Sequence, residues 1–541
     1  MKKKFLVNAF ILTVTSLILR TIGITFRVYV SNKIGPEGLG LYQLIFSVYT
    51  FALTFATSGI SLAVTRLVAE EKAIGSHSTV KSVLRKIFAL SIMLSLIACF
   101  ALFFFSDFFG VKFLGDYRTI LGLKLLSFSL LFIGISSCLR GYFNALREVI
   151  KPASAQILEQ ISEIIIVVNI INHFLPKGLE YAVAAIILGT TVSEIISCMY
   201  MFLLYCLEER KYKSNPYKST NLKIIRNNGT KMIRRHGVLK RILSISLPIA
   251  VSSYIRSALK TIENILIPTG LKKYGTTNKF ALEQYGMLTG MALPILNFPS
   301  VFLSSYSALL VPEIAEANTK GHKKRVNYTI SRVFQMTSLL SILITGVIML
   351  FSAELGMAIY NNQEISTMLR MLAPLIPIMY LDTVADGMLK GLDQQMSTMT
   401  INIIDSILRV AMIYYLIPAK GVTGLIIVII VSNIMDSLLS IGRLLKVTGL
   451  RFRIIDWAVK PFLAVTASCI MVSFLFKFFI NMEYFSIGMN IAIGALLVSL
   501  IYFILLLSLD CLKEEDILWF INIFRNSKQL PTNTWHKWGQ V

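Results

Sequence analysis

Leu139-Arg140-Gly141 ends one hydrophobic stretch of this chain, and Leu389-Lys390-Gly391 ends another 250 residues later. Val192-Ser193-Glu194 has a similar counterpart in Val431-Ser432-Asn433, 239 residues further on. Three more pairs follow in the same order: Arg20 with Arg256, Gly40 with Gly286, and Ala69-Glu70 with Ala315-Glu316. A pattern that recurs in order at a nearly constant spacing indicates a duplicated fold. Duplicated sets of membrane helices are typical of transporters that work by alternating access.

The composition places the chain in a membrane. Of its 541 residues, 55% are hydrophobic and 15% are charged, and the mean hydropathy is +0.69. This is too much apolar surface for a water-soluble domain. Apolar runs of the roughly 20 residues that cross about 30 Å of hydrocarbon recur along the whole chain. The predicted spans are 5–31, 38–68, 80–105, 117–139, 152–174, 181–207, 242–270, 283–311, 326–353, 366–389, 396–417, 422–445, 454–480 and 486–509.

We therefore predict an all-α, polytopic membrane protein with 14 transmembrane helices. The repeat groups the first twelve into two pseudo-symmetric six-helix lobes, and the last two are accessory helices. The predicted domains are the N-terminal lobe with a cytoplasmic basic loop (1–240), the C-terminal lobe (241–452), accessory helices 13 and 14 (453–510) and a cytoplasmic tail (511–541).

The distribution of basic residues predicts the orientation. Of the 53 Lys and Arg residues, 37 lie on the side of the N terminus, 8 on the opposite side and 8 within spans. Because cytoplasmic loops retain Lys and Arg, we expect a multi-pass protein of the cell membrane with both termini in the cytoplasm. The same loops account for the net charge of +24, so anionic lipids rather than nucleic acid are the expected partners.

No catalytic set or cofactor motif is visible. The six cysteines are scattered without a CxxC pair, and the five histidines are dispersed, so neither a disulfide framework nor a metal site is predicted. An enzyme would need a clustered nucleophile, base or metal set. We therefore expect neither enzymatic activity nor a cofactor.

Four basic residues within spans are the predicted substrate site. Arg20 lies about 15 residues into span 1, roughly 22 Å from its end, and Arg256 lies about as deep in span 7. Arg27 and Lys260 follow them on the same helix faces. A charge at this depth costs about 3 kcal/mol, so a central cationic cavity that binds phosphate is one interpretation. The alternative is that Arg20 and Arg256 pair with acids of neighbouring spans and only stabilise the bundle.

Acidic residues within spans are candidates for coupling or gating. Glu159 and Glu163 share a face of span 5 that has no basic residue, and Glu194 lies near the middle of span 6. Desolvated carboxyl groups of this kind can bind a coupling H+ or Na+. The repeat places Glu159 opposite Arg409, so an ion pair that closes a gate is a second hypothesis. Two other pairs are expected to be ordinary helical ion pairs: Asp405 with Arg409, and Lys260 with Glu263.

Several motifs together resemble the polysaccharide-transport flippases of the multidrug, oligosaccharidyl-lipid and polysaccharide exporter superfamily. The motifs are Leu17-Ile18-Leu19-Arg20, Asn32-Lys33-Ile34-Gly35-Pro36-Glu37-Gly38-Leu39-Gly40-Leu41-Tyr42, Ser58-Gly59-Ile60, Arg66-Leu67-Val68-Ala69-Glu70, Leu139-Arg140-Gly141-Tyr142-Phe143-Asn144-Ala145, Val311-Pro312-Glu313-Ile314-Ala315-Glu316 and Leu389-Lys390-Gly391-Leu392. The resemblance covers essentially all fourteen spans. Within the family it is strongest with the sporulation branch, which is related to the lipid II flippases.

The resemblance implies two six-helix lobes around a central cavity, acting as a monomer. The implied activity is outward movement of an undecaprenyl-pyrophosphate-linked glycan, similar to lipid II, for spore cortex or wall peptidoglycan. The expected partners are this lipid-linked oligosaccharide and the membrane lipids. Two alternatives stay open: a cation-coupled multidrug exporter of the same superfamily, and a non-transporting membrane scaffold in sporulation.

Overall fold

A computed structural model describes residues 2–73, 77–214, 238–450, 454–478, 486–509 and 511. The described residues form helices joined by short turns, without a β-strand, which confirms the all-α prediction. Most of the predicted basic loop, residues 215–237, and the predicted tail after residue 511 lie outside these ranges.

Most of the helices are long, and several follow one another with almost no connecting loop. The α-helices are α1 Lys2–Thr57, α2 Ile60–Ala73, α3 His77–Phe104, α4 Thr119–Ala145, α5 Ile150–Phe174, α6 Leu179–Ser214, α7 Val238–Lys273, α8 Asn278–Gly286, α9 Leu293–Asn297, α10 Ser300–Thr319, α11 Lys323–Leu350, α12 Ser352–Tyr360, α13 Gln363–Leu372, α14 Ile376–Gly391, α15 Gln395–Thr448, α16 Lys460–Phe478 and α17 Ile487–Ser508. Short π-helical turns occupy Phe108–Phe113, Met287–Ala292 and Ile455–Val459.

Ten helical stretches in the described ranges are long and apolar enough to cross a membrane. Two of them, Thr15–Lys72 and Gln395–Thr448, contain 58 and 54 residues. At about 1.5 Å per residue each measures roughly 80 Å, more than twice the thickness of the hydrocarbon core. Backbone breaks occur within them at Gly35 and Gly421, where φ is +69° and +59°. Each of these two breaks lies between two predicted spans, so each stretch can cross the membrane twice.

Some spans predicted as continuous helices are interrupted. Predicted span 2 is broken after Thr57, and predicted span 8 contains a π-helical turn and a break at Pro299. Predicted span 10 contains a 3₁₀ turn at Ala373–Leu375, which includes Pro374. Proline has no N–H to donate and its ring clashes with the preceding helical turn, so the breaks at Pro299 and Pro374 follow from the sequence. The break in span 2 has no proline and lies at Gly59, where φ is +77°. Pro248 and Pro268, by contrast, lie inside α7 without ending it.

The chain forms two compact units. The small unit contains Met1–Phe10, Ile295–Thr398 and Asn433–Val541, and the large unit contains Ile11–Pro294 and Met399–Ser432. This division differs from the predicted domain limits because α7 and α8 pack with helices of the first half. The predicted limits remain a prediction.

The accessory helices of the small unit pack against α11. Leu339 and Ile342 of α11 form a buried cluster with Ala464 and Val465 of α16 and with Tyr502 of α17. The Tyr502 hydroxyl donates to the Leu339 carbonyl oxygen at 3.0 Å, which satisfies a polar group that the bilayer could not. The two predicted accessory helices, α16 and α17, therefore cover one face of α11.

The large unit has its core between α2, α3 and α4. Val64 and Leu67 of α2, Ile87 of α3, and Leu139 and Phe143 of α4 are buried together. The motif Leu139-Arg140-Gly141 thus lies in the last two turns of α4, beside this core. Gly141 lies directly against the backbone of α2, which explains why a residue without a side chain occurs there.

Two repeat-related glycines bring α1 and α8 of the large unit into backbone contact. A Cβ atom at Gly40 would overlap the carbonyl oxygen of Leu282, and a Cβ at Gly286 would overlap the carbonyl oxygen of Pro36. Both contacts are reciprocal parts of one helix crossing. Only glycine permits such an approach, because backbone atoms have little freedom to move aside.

Replacement of Gly40 by alanine should therefore destabilise the protein. We expect the Gly40→Ala substitution to cost about 2–3 kcal/mol, the upper range for overpacking, because the obstructing atom belongs to the backbone. Thermal unfolding in detergent, followed by a thiol-reactive dye that reports on the buried cysteines, would measure the loss as a lowered Tm.

Gly442→Ala is the matched control. Gly442 lies in α15 with no atom within 4 Å of its Cβ position, so alanine should leave Tm unchanged or raise it, as helix propensity predicts. Equal Tm changes for the two variants would contradict the close packing at Gly40.

Candidate functional site

All eight predicted site residues lie in the large unit. Arg20 and Arg27 are on the first segment of α1, and Arg256 and Lys260 are on α7. The four side chains are exposed at the protein surface. Arg20 and Arg27 are two helical turns apart and Arg256 and Lys260 one turn apart, so each helix presents a basic stripe.

Three of these cations have no partner within the part of the chain that the structure describes. Arg20, Arg27 and Arg256 form neither an ion pair nor a side-chain hydrogen bond with a described residue. Lys260 differs, because its Nζ lies 2.9 Å from Oε1 of Glu263. Pairing of Arg20 and Arg256 with neighbouring acids, the alternative to a substrate role, is therefore not seen among the described residues.

Hydrogen bonds join α7 to the second segment of α1. The Thr261 hydroxyl donates to the Ser47 carbonyl oxygen at 2.9 Å, and the Tyr254 hydroxyl donates to the Phe55 carbonyl oxygen at 3.2 Å. The residue numbers run in opposite directions, so the two segments are antiparallel. Helices from the two sequence repeats thus meet within this unit. The contact lies on the part of α7 that contains Arg256 and Lys260.

Arg409 links two buried carboxylates on different helices. Its guanidinium lies 2.6 Å from Asp405 Oδ2 in α15 and 3.6 Å from Glu263 Oε1 in α7. The Ser432 hydroxyl donates to the other Asp405 oxygen at 2.5 Å. Both predicted ion pairs, Asp405 with Arg409 and Lys260 with Glu263, are confirmed, and the structure joins them into one network whose charges cancel.

The three acids proposed for coupling form a second cluster. Glu159 lies 3.3 Å from Arg140, and Glu163 accepts a hydrogen bond from the Thr190 hydroxyl at 2.8 Å. Glu194 lies close enough to Glu159 and Arg140 to interact with their charges. Its Oε2 is buried and accepts no hydrogen bond from a described residue. The cluster thus contains three carboxyl groups and one guanidinium, so its acidic groups outnumber its basic ones.

The proposed gate between Glu159 and Arg409 is not formed in this structure. Glu159 pairs with Arg140, and Arg409 pairs with Asp405 and Glu263. Each residue finds a partner on a helix packed beside its own. Arg140, which the sequence analysis noted only as part of a repeat motif, is the counter-ion that it missed.

A further ionic cluster was not predicted. Arg118 donates to Asp116 at 2.7 Å and to Glu37 at 2.9 Å, and the Asn278 amide donates to Asp116 at 3.0 Å. Lys272 donates to the Gly115 carbonyl oxygen at 3.4 Å. The cluster ties the start of α4 to α1, α7 and α8. No local spacing reveals it, because Glu37 and Arg118 are 81 residues apart.

Hydrogen bonds outweigh burial in setting the charge state of Asp116. Burial by itself would raise the pKa of Asp116, but the bonds from Arg118 and Asn278 stabilise the carboxylate and bring its pKa below the usual 3.8. Hydrogen bonding to Asp116 likewise raises the pKa of Arg118. The pair is therefore fully charged at neutral pH.

Residues 5–318 match the family model described as polysaccharide biosynthesis protein, and residues 289–415 match the model named MatE. The first match covers more than half of the chain. The chain belongs to the polysaccharide biosynthesis protein family. The resemblance stated from the sequence motifs is thereby confirmed.

Two relatives of this family member come from Bacillus subtilis. Stage V sporulation protein B is 28% identical over 522 residues, which cover 95% of this chain and 97% of the relative. The lipid II flippase MurJ is 22% identical over 515 residues, covering 89% and 91%. A solved structure of lipid II flippase MurJ in an inward closed conformation matches with a TM-score of 0.63 and 14% identity, over 91% of this chain and 97% of that one.

These similarities establish a transporter fold. The chain has the helical membrane fold of the flippase structure, and one of its relatives is a lipid II flippase. The similarity to these proteins confirms the prediction that this family member is not an enzyme.

Loss of the Arg409 guanidinium should destabilise the fold. The Arg409→Met substitution keeps the length of the side chain but leaves Asp405 and Glu263 without their shared cation. We expect a loss of roughly 2–4 kcal/mol, at the lower end for a buried ion pair because 25% of the Arg409 side chain is exposed. The Tm in detergent would measure it.

The matched control is Arg66→Met. Arg66 pairs with Glu70 one turn away, but its side chain is 63% exposed, so the loss should stay below about 1 kcal/mol. Similar Tm changes for both variants would show that the network around Arg409 adds no stability.

The contribution of Asp116 to the stability of the fold should change with pH only well below neutral pH. Because the folded pKa of Asp116 is lowered, its contribution is complete above the ordinary value of 3.8 and declines as pH falls through the lowered pKa. Asp116→Asn should therefore lower Tm by a constant amount between pH 8 and 5. The difference from the unsubstituted protein should narrow below pH 4. A difference that already disappears at pH 6 would contradict this assignment.

Proposed function

We propose that this protein is a flippase that moves an undecaprenyl-pyrophosphate-linked glycan precursor across the cytoplasmic membrane by alternating access. The substrate would resemble lipid II and serve spore cortex or wall peptidoglycan. The single observation that carries the proposal is a set of three guanidinium groups on helices of one unit, those of Arg20, Arg27 and Arg256, which have no ion-pair or hydrogen-bond partner among the described residues.

The chemistry of these groups fits a pyrophosphate. A guanidinium keeps its charge in any protein environment, and its fork of N–H donors matches two phosphate oxygens at once. An unpaired charge within hydrocarbon is costly, so its retention points to an anion that arrives from outside the protein. Lys260 is less suited to this role, since Glu263 already neutralises it.

The relatives support a lipid-linked substrate. One of them is a lipid II flippase and another is a sporulation protein, and both align over most of their lengths. The match of residues 289–415 to MatE favours a second candidate, a cation-coupled exporter of small drugs. An excess of unpaired basic groups suits an anionic substrate better than the cationic drugs such an exporter would bind.

We infer fourteen spans with both termini in the cytoplasm. Two sets of contacts support this topology. Two predicted outer connections meet where Asn278 donates to Asp116, and a third contributes Glu37, which bonds Arg118 at the outer end of predicted span 4. The predicted inner connections meet separately, where Lys151 bonds Glu208 at 2.6 Å. Loops on opposite faces of a membrane about 30 Å thick could not make such contacts.

Alternating access would move the two repeats about their shared helix crossings. The backbone contact at Gly40 and Gly286 and the ionic cluster at Arg118 both belong to the predicted outer side, so this structure is closed there. Opening to the outside requires these contacts to separate. Substrate binding would bias the equilibrium between the two states according to its difference in affinity.

The acidic cluster is the proposed coupling site. Glu159, Glu163 and Glu194 share a single guanidinium, so binding of H+ or Na+ would neutralise part of the excess charge. Neutralisation would change the interaction with Arg140 and hence the packing of α4 on α5. This gives an ion gradient a route to drive net export.

Alanine substitution of the unpaired arginines should abolish most flipping. In vesicles with fluorescent lipid II, Arg20→Ala and Arg256→Ala should each slow translocation roughly 10- to 100-fold, as expected for a lost charge-assisted hydrogen bond of about 1.5–3 kcal/mol. Lysine at either position should retain part of the rate if simple attraction matters, and little of it if the planar fork is needed.

Arg370→Ala is the matched control, because Arg370 is an exposed arginine of the small unit near a predicted span end. It should flip lipid II at the normal rate. Flipping that survives both alanine substitutions would overturn the phosphate site. Transport of cationic drugs without flipping of lipid II or a teichoic-type precursor would favour the drug exporter.

A further inference from the structure

A cavity of about 410 Å³ lies beside the Arg118 cluster, and the proposed transport assigns no ligand to it in this closed arrangement. We call it the Asp116 pocket. Its size is within the range of roughly 300–1,000 Å³ that is usual for small-molecule sites. The residues that line it are Val111, Gly115, Asp116, Tyr117, Arg118 and Asn278.

The walls of the pocket are held rigidly. Asp116 is only 5% exposed and receives hydrogen bonds from the Arg118 guanidinium, the Arg118 backbone and the Asn278 amide. A second nitrogen of the Arg118 guanidinium donates to Glu37, which also restrains this side chain. Polar side chains whose rotamers are locked in this way form a site before any ligand arrives.

The four charged residues of the adjoining ionic cluster have no net formal charge. Glu37 and Asp116 supply two negative charges, and Arg118 and Lys272 supply two positive charges. The Arg118 guanidinium is engaged by two carboxylates, so it has no free fork for a phosphate. This pocket therefore differs from the basic stripes of α1 and α7, and a neutral polar ligand suits it best.

One polar atom of the pocket still needs a donor. Asn278 lines the pocket, its amide nitrogen donates to Asp116, and its Oδ1 is buried without a hydrogen bond from any described residue. A buried acceptor left unpaired costs about 1–3 kcal/mol. Because this oxygen is not accessible in this structure, a ligand hydroxyl group would donate to it only after the Asn278 side chain turns toward the pocket.

Tyr117 adds an aromatic surface. Its side chain lines the pocket and is 68% exposed, so its ring is accessible to a ligand. A tyrosine ring offers an apolar face with a polar hydroxyl at one end. A pyranose ring has the matching form, since one face carries C–H groups and the edge carries hydroxyls.

We propose that the Asp116 pocket binds a neutral sugar ring. The identification of the sugar as part of the transported molecule rests on the proposed function, whereas the sugar site itself does not. In the inferred topology the pocket opens on the outer face, where the glycan of a flipped precursor arrives. The sugar could equally come from a free or polymeric glycan on that side, and the experiment separates these sources.

The test measures binding of N,N′-diacetylchitobiose, a neutral disaccharide, to the full chain in lipid nanodiscs by saturation-transfer difference NMR. We expect saturable binding that weakens at least fivefold in Tyr117→Ala and in Asn278→Ala. N-acetylglucosamine 1-phosphate should bind no more tightly than N-acetylglucosamine, because the pocket has no net charge.

Tyr181→Ala is the matched control, since Tyr181 is 45% exposed near a predicted outer connection but does not line the pocket. It should bind the disaccharide normally. Absence of saturable binding to the unsubstituted chain, or equal binding by Tyr117→Ala at an unchanged Tm, would overturn the proposal. Tighter binding of the phosphorylated sugar would overturn its neutral-ligand part.

Lipid II flipping in vesicles then identifies the source of the sugar. If the transported precursor occupies the pocket, Tyr117→Ala should slow flipping severalfold; if a free glycan does, flipping should stay normal while disaccharide binding is lost. Normal sugar binding with no flipping by any variant would refute the transport function and leave the pocket assignment intact.

Discussion

The constraint on which this structure depends is that a charge within the bilayer must be compensated. Glu263 and Asp405 are buried on separate helices, and one guanidinium, that of Arg409, contacts both. The same requirement explains the contact between Glu159 and Arg140. These pairs fix which helices neighbour one another, because water is not present to stabilise a misplaced carboxylate. Arg20, Arg27 and Arg256, on α1 and α7, have no such partner in the part of the chain that the structure describes.

Close backbone packing is the second determinant of the large unit. Hydrocarbon surrounds most of the helices, so burial of apolar side chains provides little force between them. Glycine at positions 40 and 286 instead lets α1 and α8 meet through backbone atoms, next to the Glu37–Arg118–Asp116 cluster. Dispersion contacts and charged hydrogen bonds thus reinforce each other at the same crossing. A transporter that opens there must break both together.

Much of the fold was predictable because membrane crossing imposes a length and a composition on each helix. The breaks at Gly35 and Gly421 lie between predicted spans, and two ion pairs were read correctly from spacings of three and four residues. The interruption inside predicted span 2 was missed, since an apolar run without proline looks the same whether or not its helix is broken. The pairing of Glu159 with Arg140 was missed because it joins different helices.

The sequence by itself determined the helical membrane class, the repeat and the family, all of which follow from local composition and order. Only the tertiary structure decided which charged side chains are paired among the described residues, as in the network around Arg409. It also assembled the Asp116 pocket from residues as distant as Val111 and Asn278. The reason is physical: a partner in space need not be near in sequence, and the strength of an electrostatic contact depends on the distance between the two groups.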